Sequence, residues 1–191
     1  MKALPKLHPL RRAWDAWNSG RADDAYAHYL AAIVQTPDTA EAQQMLGYLA
    51  LEMEDDATAL CALAQSVMLD ADIAETHMLL GVALRRKGER ERAVEAFEKA
   101  LRLRPEWPDC INNLSVTLEE IGQLDAALTA VRRGLTIAPD DLDLRNQCGC
   151  VLCALGQHEA GIAEYEHALS LDPDFEPARL NLADAQRVRA A

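Results

Sequence analysis

The residues with the most distinctive chemistry are three closely spaced cysteines, Cys148, Cys150 and Cys153, because thiolates bind soft metals and exchange disulfides. Their spacing restricts them. On a helix Cys148 and Cys150 diverge by about 200°, so only Cys150 and Cys153 share a face, while closed tetrahedral zinc needs four converging ligands. Packing as small apolar side chains is the competing role. The five histidines, His8, His28, His77, His158 and His167, follow no common spacing. No G-x-S-x-G, P-loop, H-E-x-x-H or EF-hand pattern accompanies them, so the expectation is a protein that is not an enzyme and holds neither metal nor cofactor. A third group consists of side-chain amides. Asn113, Gln147 and Asn181 stand 34 residues apart, with Asn112 and Asn146 beside two of them. Each amide offers a donor and an acceptor, so a row of them can pair with the peptide units of an extended segment whatever its side chains.

That 34-residue spacing belongs to the whole chain. In 74–107 the apolar and small residues His77, Leu80, Gly81, Leu84, then Ala93, Phe97, Ala100 and Leu101, fall on the i, i+3, i+4, i+7 stripes of two amphipathic helices. Gly88 breaks the first and Pro105 stops the second. The Gly81 position recurs as Ala13, Gly47, Ser115, Gly149 and Ala183, all small. The Ala93 position recurs as Ala25, Ala59, Ala127 and Gly161, and the Ala100 position as Ala32, Ser66, Gly134 and Ala168. Opposite these sockets stands one larger side chain, Phe97, with Tyr29, Leu63, Val131 and Tyr165 at its phase. Small sockets let two backbones approach while the knob fills the space between them. The breaker position is Gly20, Gly122 and Gly156 elsewhere, but Glu54 in the second copy, where a turn has to be made without an easy positive φ. The stop recurs as Pro37, Pro139 and Pro173, with Ala71 in the second copy.

Leu80-Gly81, Leu84, Ala93, Phe97, Ala100 and Pro105 resemble the tetratricopeptide repeat, W-x2-L-G-x2-Y, A-x3-F, P, with His77 where that family prefers Trp. The resemblance covers about 6–175. It implies an all-α fold, an α-solenoid of antiparallel helix pairs wound into a right-handed superhelix. One domain over 1–191 is expected, with repeats at about 6–39, 40–73, 74–107, 108–141 and 142–175 and a capping helix at about 176–190. Pro9 suits the first turn of the opening helix. That helix carries Trp14 and Trp17, which either cap the stack or form an aromatic ligand site. Acids precede each first-type helix at Asp38, Asp72, Glu106, Asp140 and Asp174, where they favour the positive end of the helix dipole.

The formal charge is −12, which disfavours general nucleic-acid binding and favours a basic partner. Residues 1–12 hold four basic and no acidic side chains, whereas 40–73 hold seven acids and no Lys or Arg. The run Arg85-Arg86-Lys87-Gly88-Glu89-Arg90-Glu91-Arg92 straddles a turn and is interrupted by glutamates, as a solvated turn would be; an anion site is the other reading. No run approaches the roughly 18 apolar residues of a membrane span. The opening MKALPKLHPLRR lacks the apolar region of a secretory signal, and the cysteine count is odd, so a cytoplasmic location with reduced thiols is expected.

In this family the first-type helices line a concave groove. Carried over by phase, the resemblance implies an apolar N-terminal floor of Met45, Tyr48, Met78, Leu79 and Val82, and a C-terminal half lined by Asn112, Asn113, Asn146, Gln147 and Asn181. The latter resemble the asparagine ladder of O-linked N-acetylglucosamine transferases, broken here by Leu79 and Met45. A subgroup of the family grips acidic chaperone tails with basic groove residues. This chain offers Glu41, Glu75, Asp109 and Asp143 instead, which sets like charges against such a tail. The expected function is a non-catalytic scaffold or adaptor that binds a peptide or helix of a partner protein. Its alternatives are a regulatory or substrate-recognition subunit of an enzyme such as a glycosyltransferase, and a Cys-based metal or redox protein.

Overall fold

The computed structural model describes residues 10–35 and 39–190. His8, Pro9, the stop Pro37 and the junction acid Asp38 lie outside the described residues. Among those described there are eleven α-helices and no strand, which is the all-α class the sequence implied.

The chain divides into two compact units, residues 1–92 and 93–191. The first holds α1 (Arg11–Asn18), α2 (Ala22–Ile33), α3 (Ala40–Glu52), α4 (Asp56–Leu69) and α5 (Ala74–Arg86). Helix α6 (Arg90–Leu103) starts at the end of the first unit and runs into the second. There it is followed by α7 (Pro108–Glu120), α8 (Leu124–Ile137), α9 (Leu142–Ala154), α10 (His158–Leu171) and α11 (Glu176–Ala190). The odd-numbered helices are the first-type members of each repeat. Consecutive helices pack on one another: α3 on α4 and α4 on α5 in the first unit, α7 through α11 in the second.

Every hairpin turns by one device. After α3, the N–H of Glu54 donates to Leu51 O and that of Asp55 to Ala50 O; after α9, Gly156 donates to Cys153 O and Gln157 to Leu152 O. This doubly bonded helix end puts its pivot residue in the left-handed region, with φ 76° at Gly122 and Gly156. Glu54 was expected to force a different turn. Instead it adopts the same conformation, φ 59°, among described residues the only non-glycine to do so. The repeated architecture overrides the residue's own preference, and a Cβ is held where it crowds the backbone.

The knobs and sockets meet as their spacing predicts. Tyr29, Leu63, Phe97 and Val131 are fully buried, and Tyr165 nearly so. A Cβ built on Gly47 would come within 2.4 Å of the knob Leu63, whereas one on Gly134 would meet Leu144 at 2.9 Å and Ile111 at 3.1 Å, both from first-type helices. Where a socket is serine, its hydroxyl finds a carbonyl across the interface, Ser66 donating to Ala40 O and Ser115 to Ala127 O. Such pairing is what makes a buried hydroxyl tolerable. Ala183, the socket position of α11, is exposed.

The junction acids are not the caps. Thr39 and Asp141, one residue nearer each helix, accept the N–H of Ala42 and Leu144. Asp70 and Asp172, at one phase of the repeat, accept the N–H two residues on, from Asp72 and Asp174, so the acid-rich junction is a pair of side-chain-closed turns. His77 is buried and bonds Ala71 O at 2.9 Å, a packed residue in place of the family's tryptophan. In the basic turn Glu89 pairs with both Lys87 and Arg92, while Arg86 reaches Asp56 at 3.0 Å and donates to Leu51 O. Three cations of that run, Arg86, Lys87 and Arg92, are thus held by carboxylates.

Candidate peptide-binding groove

Exposure along the first-type helices alternates with a one-residue step. Met45, Leu79 and Gln147, two residues before the sockets, are buried. Gln44, Met78, Asn112 and Asn146, one residue earlier, are half-buried, as are Tyr48, Val82, Val116 and Cys150, one residue after the sockets. The exposed edge of these helices therefore runs through the latter two positions; the former is turned inward at Met45, Leu79 and Gln147 but is half-buried at Asn113 and Asn181.

In the first unit this divides the apolar floor. Met45 and Leu79 belong to a core cluster with Leu46, Leu49 and Leu63, while Tyr48, Met78 and Val82 pack on its rim. Trp14 meets Tyr48 edge-to-face at 5.5 Å between ring centroids, an arrangement that joins α1 to α3 through the rim. Trp17 is half-buried. Burial pushes the Tyr48 hydroxyl up, and Glu52 adds to it.

In the second unit the surface is polar and its amides are engaged. Gln147 is buried, and its Nε2 donates to Glu119 Oε2 at 2.7 Å. Asn181 Nδ2 donates to Asn146 Oδ1 at 2.9 Å, tying α11 to α9, and also approaches Cys150 Sγ at 3.4 Å. Asn113 Nδ2 turns back to Asp109 O of its own helix at 2.8 Å. The same-phase trio Asn113, Gln147 and Asn181 thus forms three separate contacts. What the fold brings together is Asn112 and Asn113 with Pro108, Asp109, Asp141 and Asp143, around an open polar hollow of about 160 Å³ between α7 and α9. Asn112 Oδ1 is covered and accepts no hydrogen bond. Crowding in this hollow raises the Asp143 carboxyl above its ordinary range, through burial first and then the charges of Asp141 and Asp109. Glu119, which holds Gln147, was not singled out from the sequence. It sits one turn beyond the socket Ser115, where other repeats carry Arg85 and Cys153, so no recurring residue type marks it.

Cys150 and Cys153 pack against the one cluster that holds Tyr165, on the shared face their spacing implied. Cys148 is buried among apolar neighbours, Cys150 accepts the Tyr165 hydroxyl at 3.4 Å, and Cys153 Sγ fills the space beside Gly161. Among the described residues no three His, Cys, Asp or Glu side chains are disposed to hold a metal ion. Nor is any helix long and apolar enough to cross a membrane.

Family models described as tetratricopeptide repeat match residues 10–73, 74–107, and 108–141 with 143–175. No curated protein matches the sequence. Solved structures similar in fold include the following three. A thermophilic repeat protein of Thermus thermophilus, TTC0263, has TM-score 0.72 and 23% identity, covering 93% of this chain and 97% of its own. MamA 41-end from Desulfovibrio magneticus RS-1 has TM-score 0.72 and 24% identity, covering 81% and 88%. YrrB, described as a repeat protein with an unusual peptide-binding site, has TM-score 0.68 and 22% identity, covering 85% and 84%.

Proposed function

The chain belongs to the tetratricopeptide repeat family, and on that premise we propose that it is a non-catalytic scaffold holding a segment of a partner protein against its first-type helices. The observation that carries this is the exposed edge itself. The positions one residue before and three residues after the buried row offer Tyr48, Met78 and Val82 in the first unit and Asn112 and Asn146 in the second, all half-buried. Half-buried apolar groups and amides on rigid helices supply area and peptide pairing without ordering cost in the scaffold. YrrB supports the reading by analogy of fold. The rungs for a peptide backbone are Asn112, Asn113 and Asn146; Gln147 and Asn181 support them from behind through Glu119 and Asn146. The acids Asp109, Asp141 and Asp143 beside these rungs turn away acidic tails and favour a neutral or basic segment. A cytoplasmic setting is part of the same reading, and the odd number of cysteines in the sequence supports it.

The test is capture of partners from lysate, mapping of the bound segment, and affinity measurement with Asn112→Ala plus Asn113→Ala, and separately with Tyr48→Ala. Each lost neutral hydrogen bond weakens binding by about 0.5–1.5 kcal/mol. Unchanged affinity in both variants, with wild-type melting, would remove the groove from the account.

A further inference from the structure

The second-type helices present their outer face through five positions of the repeat. On α6 these are Glu91, Glu95, Glu98, Lys99 and Arg102, every one charged. Helix α8 places Asp125, Arg132 and Arg133 there, and α10 places Glu159, Glu166 and His167. These are ordinary solvated surfaces. On α4 the same positions hold Ala57, Cys61, Ala64, Gln65 and Met68, all exposed and none charged, with Met68 87% accessible. Leu69 beside it is 45% accessible. Helix α2 carries Asp23 at the first of these positions and exposed, uncharged Ala27, Leu30, Ala31 and Val34 at the other four, and Tyr29 binds α2 to the start of α4 through its bond to Asp55. Two successive repeats therefore leave bare a face that the rest of the same chain covers with charge. A bare apolar face of this kind marks an interaction site.

Both ends of the α4 strip are acidic. Glu54, Asp55 and Asp56 stand at its start, Asp70 and Asp72 at its end, and 40–73 contain no Lys or Arg. The negative end of the helix dipole adds to the second cluster. Arg86 offsets Asp56 and Arg21 offsets Asp24, so the negative charge at the start of the strip rests on Glu54 and Asp55. A second copy laid on this strip, parallel or antiparallel, would bring acid against acid at both ends. An anionic bilayer would be repelled in the same way. A helix with an apolar stripe and Lys or Arg on its flanks satisfies both features. The strip from Ala57 to Met68 is about 17 Å long, some three turns of such a helix.

We propose that the outer face of α4, extended by α2, is a second docking surface that takes a basic amphipathic helix of a partner protein, independently of the groove on the first-type helices.

Cys61 lies in the middle of the strip and is exposed, while Cys110 and Cys148 are buried, so alkylation at Cys61 reports occupancy. The probe is a synthetic Leu/Lys peptide of helical amphipathic pattern, with a Leu/Glu peptide of the same pattern as its counterpart. The Leu/Lys peptide is expected to slow maleimide labelling of Cys61 while the Leu/Glu peptide does not. Met68→Glu should abolish that protection and weaken peptide binding by about tenfold or more, although it adds a negative charge; Asn112→Ala should leave both unchanged. Because Met68 is exposed, its replacement leaves folding intact, checked by melting temperature. Binding that persists or tightens in Met68→Glu reflects charge alone and overturns the proposal. So does protection of Cys61 by raising the concentration of the protein by itself, which assigns the strip to a second copy. Loss of binding in Asn112→Ala with Cys61 unprotected places the peptide in the groove and overturns it equally.

Discussion

The ring of Tyr165 rests directly on the backbone of Gly149: a Cβ built on that glycine would lie 2.4 Å from Cε1 of the ring. The ring cannot swing freely aside, because Tyr165 is nearly fully buried and its hydroxyl is placed on Cys150. Gly149→Ala gains helix propensity of up to about 1 kcal/mol, and overpacking costs about 1–3 kcal/mol. The variant is therefore expected to melt below wild type, and urea unfolding measures the difference. Gly47→Ala, set against Leu63 rather than a ring, is expected to lose less, since an aliphatic side chain can move to a neighbouring rotamer.

Glu54→Gly makes the opposite case. The left-handed conformation at Glu54 costs a residue with a Cβ about 1–2 kcal/mol, and its backbone N–H bond to Leu51 O survives the substitution. The variant should melt higher than wild type, while Gly122→Ala, placed in the same conformation with φ 76°, should melt lower. A shift of equal sign in both would mean that the turns do not share one geometry.

These two positions show what was legible. Gly149 opposite Tyr165 follows from the period alone, because a small residue and a large one kept at fixed phases can only be socket and knob. Glu54 breaks the residue pattern, and its conformation is dictated by the four other hairpins rather than by its own preference. The same distinction applies at the groove. Phase placed Met45, Tyr48, Met78, Leu79 and Val82 on the first-type helices, yet it could not separate Met45 and Leu79, which enter the core, from rim neighbours one to three residues away. Nor could it show that Gln147 is spent on Glu119, since that bond joins two repeats at different phases. The hollow of Asp109, Asp141 and Asp143 arises where two junctions approach, a relation that no single repeat contains.

The five thiols should separate in reactivity. Burial pushes Cys110 up to about 12 and Cys148 up to about 11, and raises Cys150 and Cys153 as well. Cys61 is exposed. Since the thiolate is the reactive species, an aromatic disulfide reagent at neutral pH is expected to modify Cys61 rapidly and the others only on unfolding. Denaturant should bring the titre to all five cysteines of the sequence. Rapid modification of Cys150 and Cys153 in the folded protein would contradict their packing.

Asp55 and Asp143 should move stability in opposite directions with pH. Hydrogen bonds from Thr58 lower the Asp55 carboxyl against a smaller opposing effect of burial. A lowered folded-state value means stability present above the unfolded value, ordinarily about 3.9, and lost as pH falls through the folded one. Asp55→Asn should therefore melt below wild type at neutral pH, and the gap should close in acid. Burial, then Asp141 and Asp109, raise Asp143. The folded state holds that proton more tightly than the unfolded chain does, so this group favours folding below the unfolded value and opposes it as pH rises through the folded one. Asp143→Asn should accordingly melt above wild type at neutral pH, with the gain fading toward acid. Added salt should shrink the part of the effect that comes from the charges of Asp141 and Asp109. Melting curves of both variants between acid and neutral pH decide the matter: an Asp143→Asn variant that melts at or below wild type at neutral pH would mean that the hollow does not crowd its carboxylates.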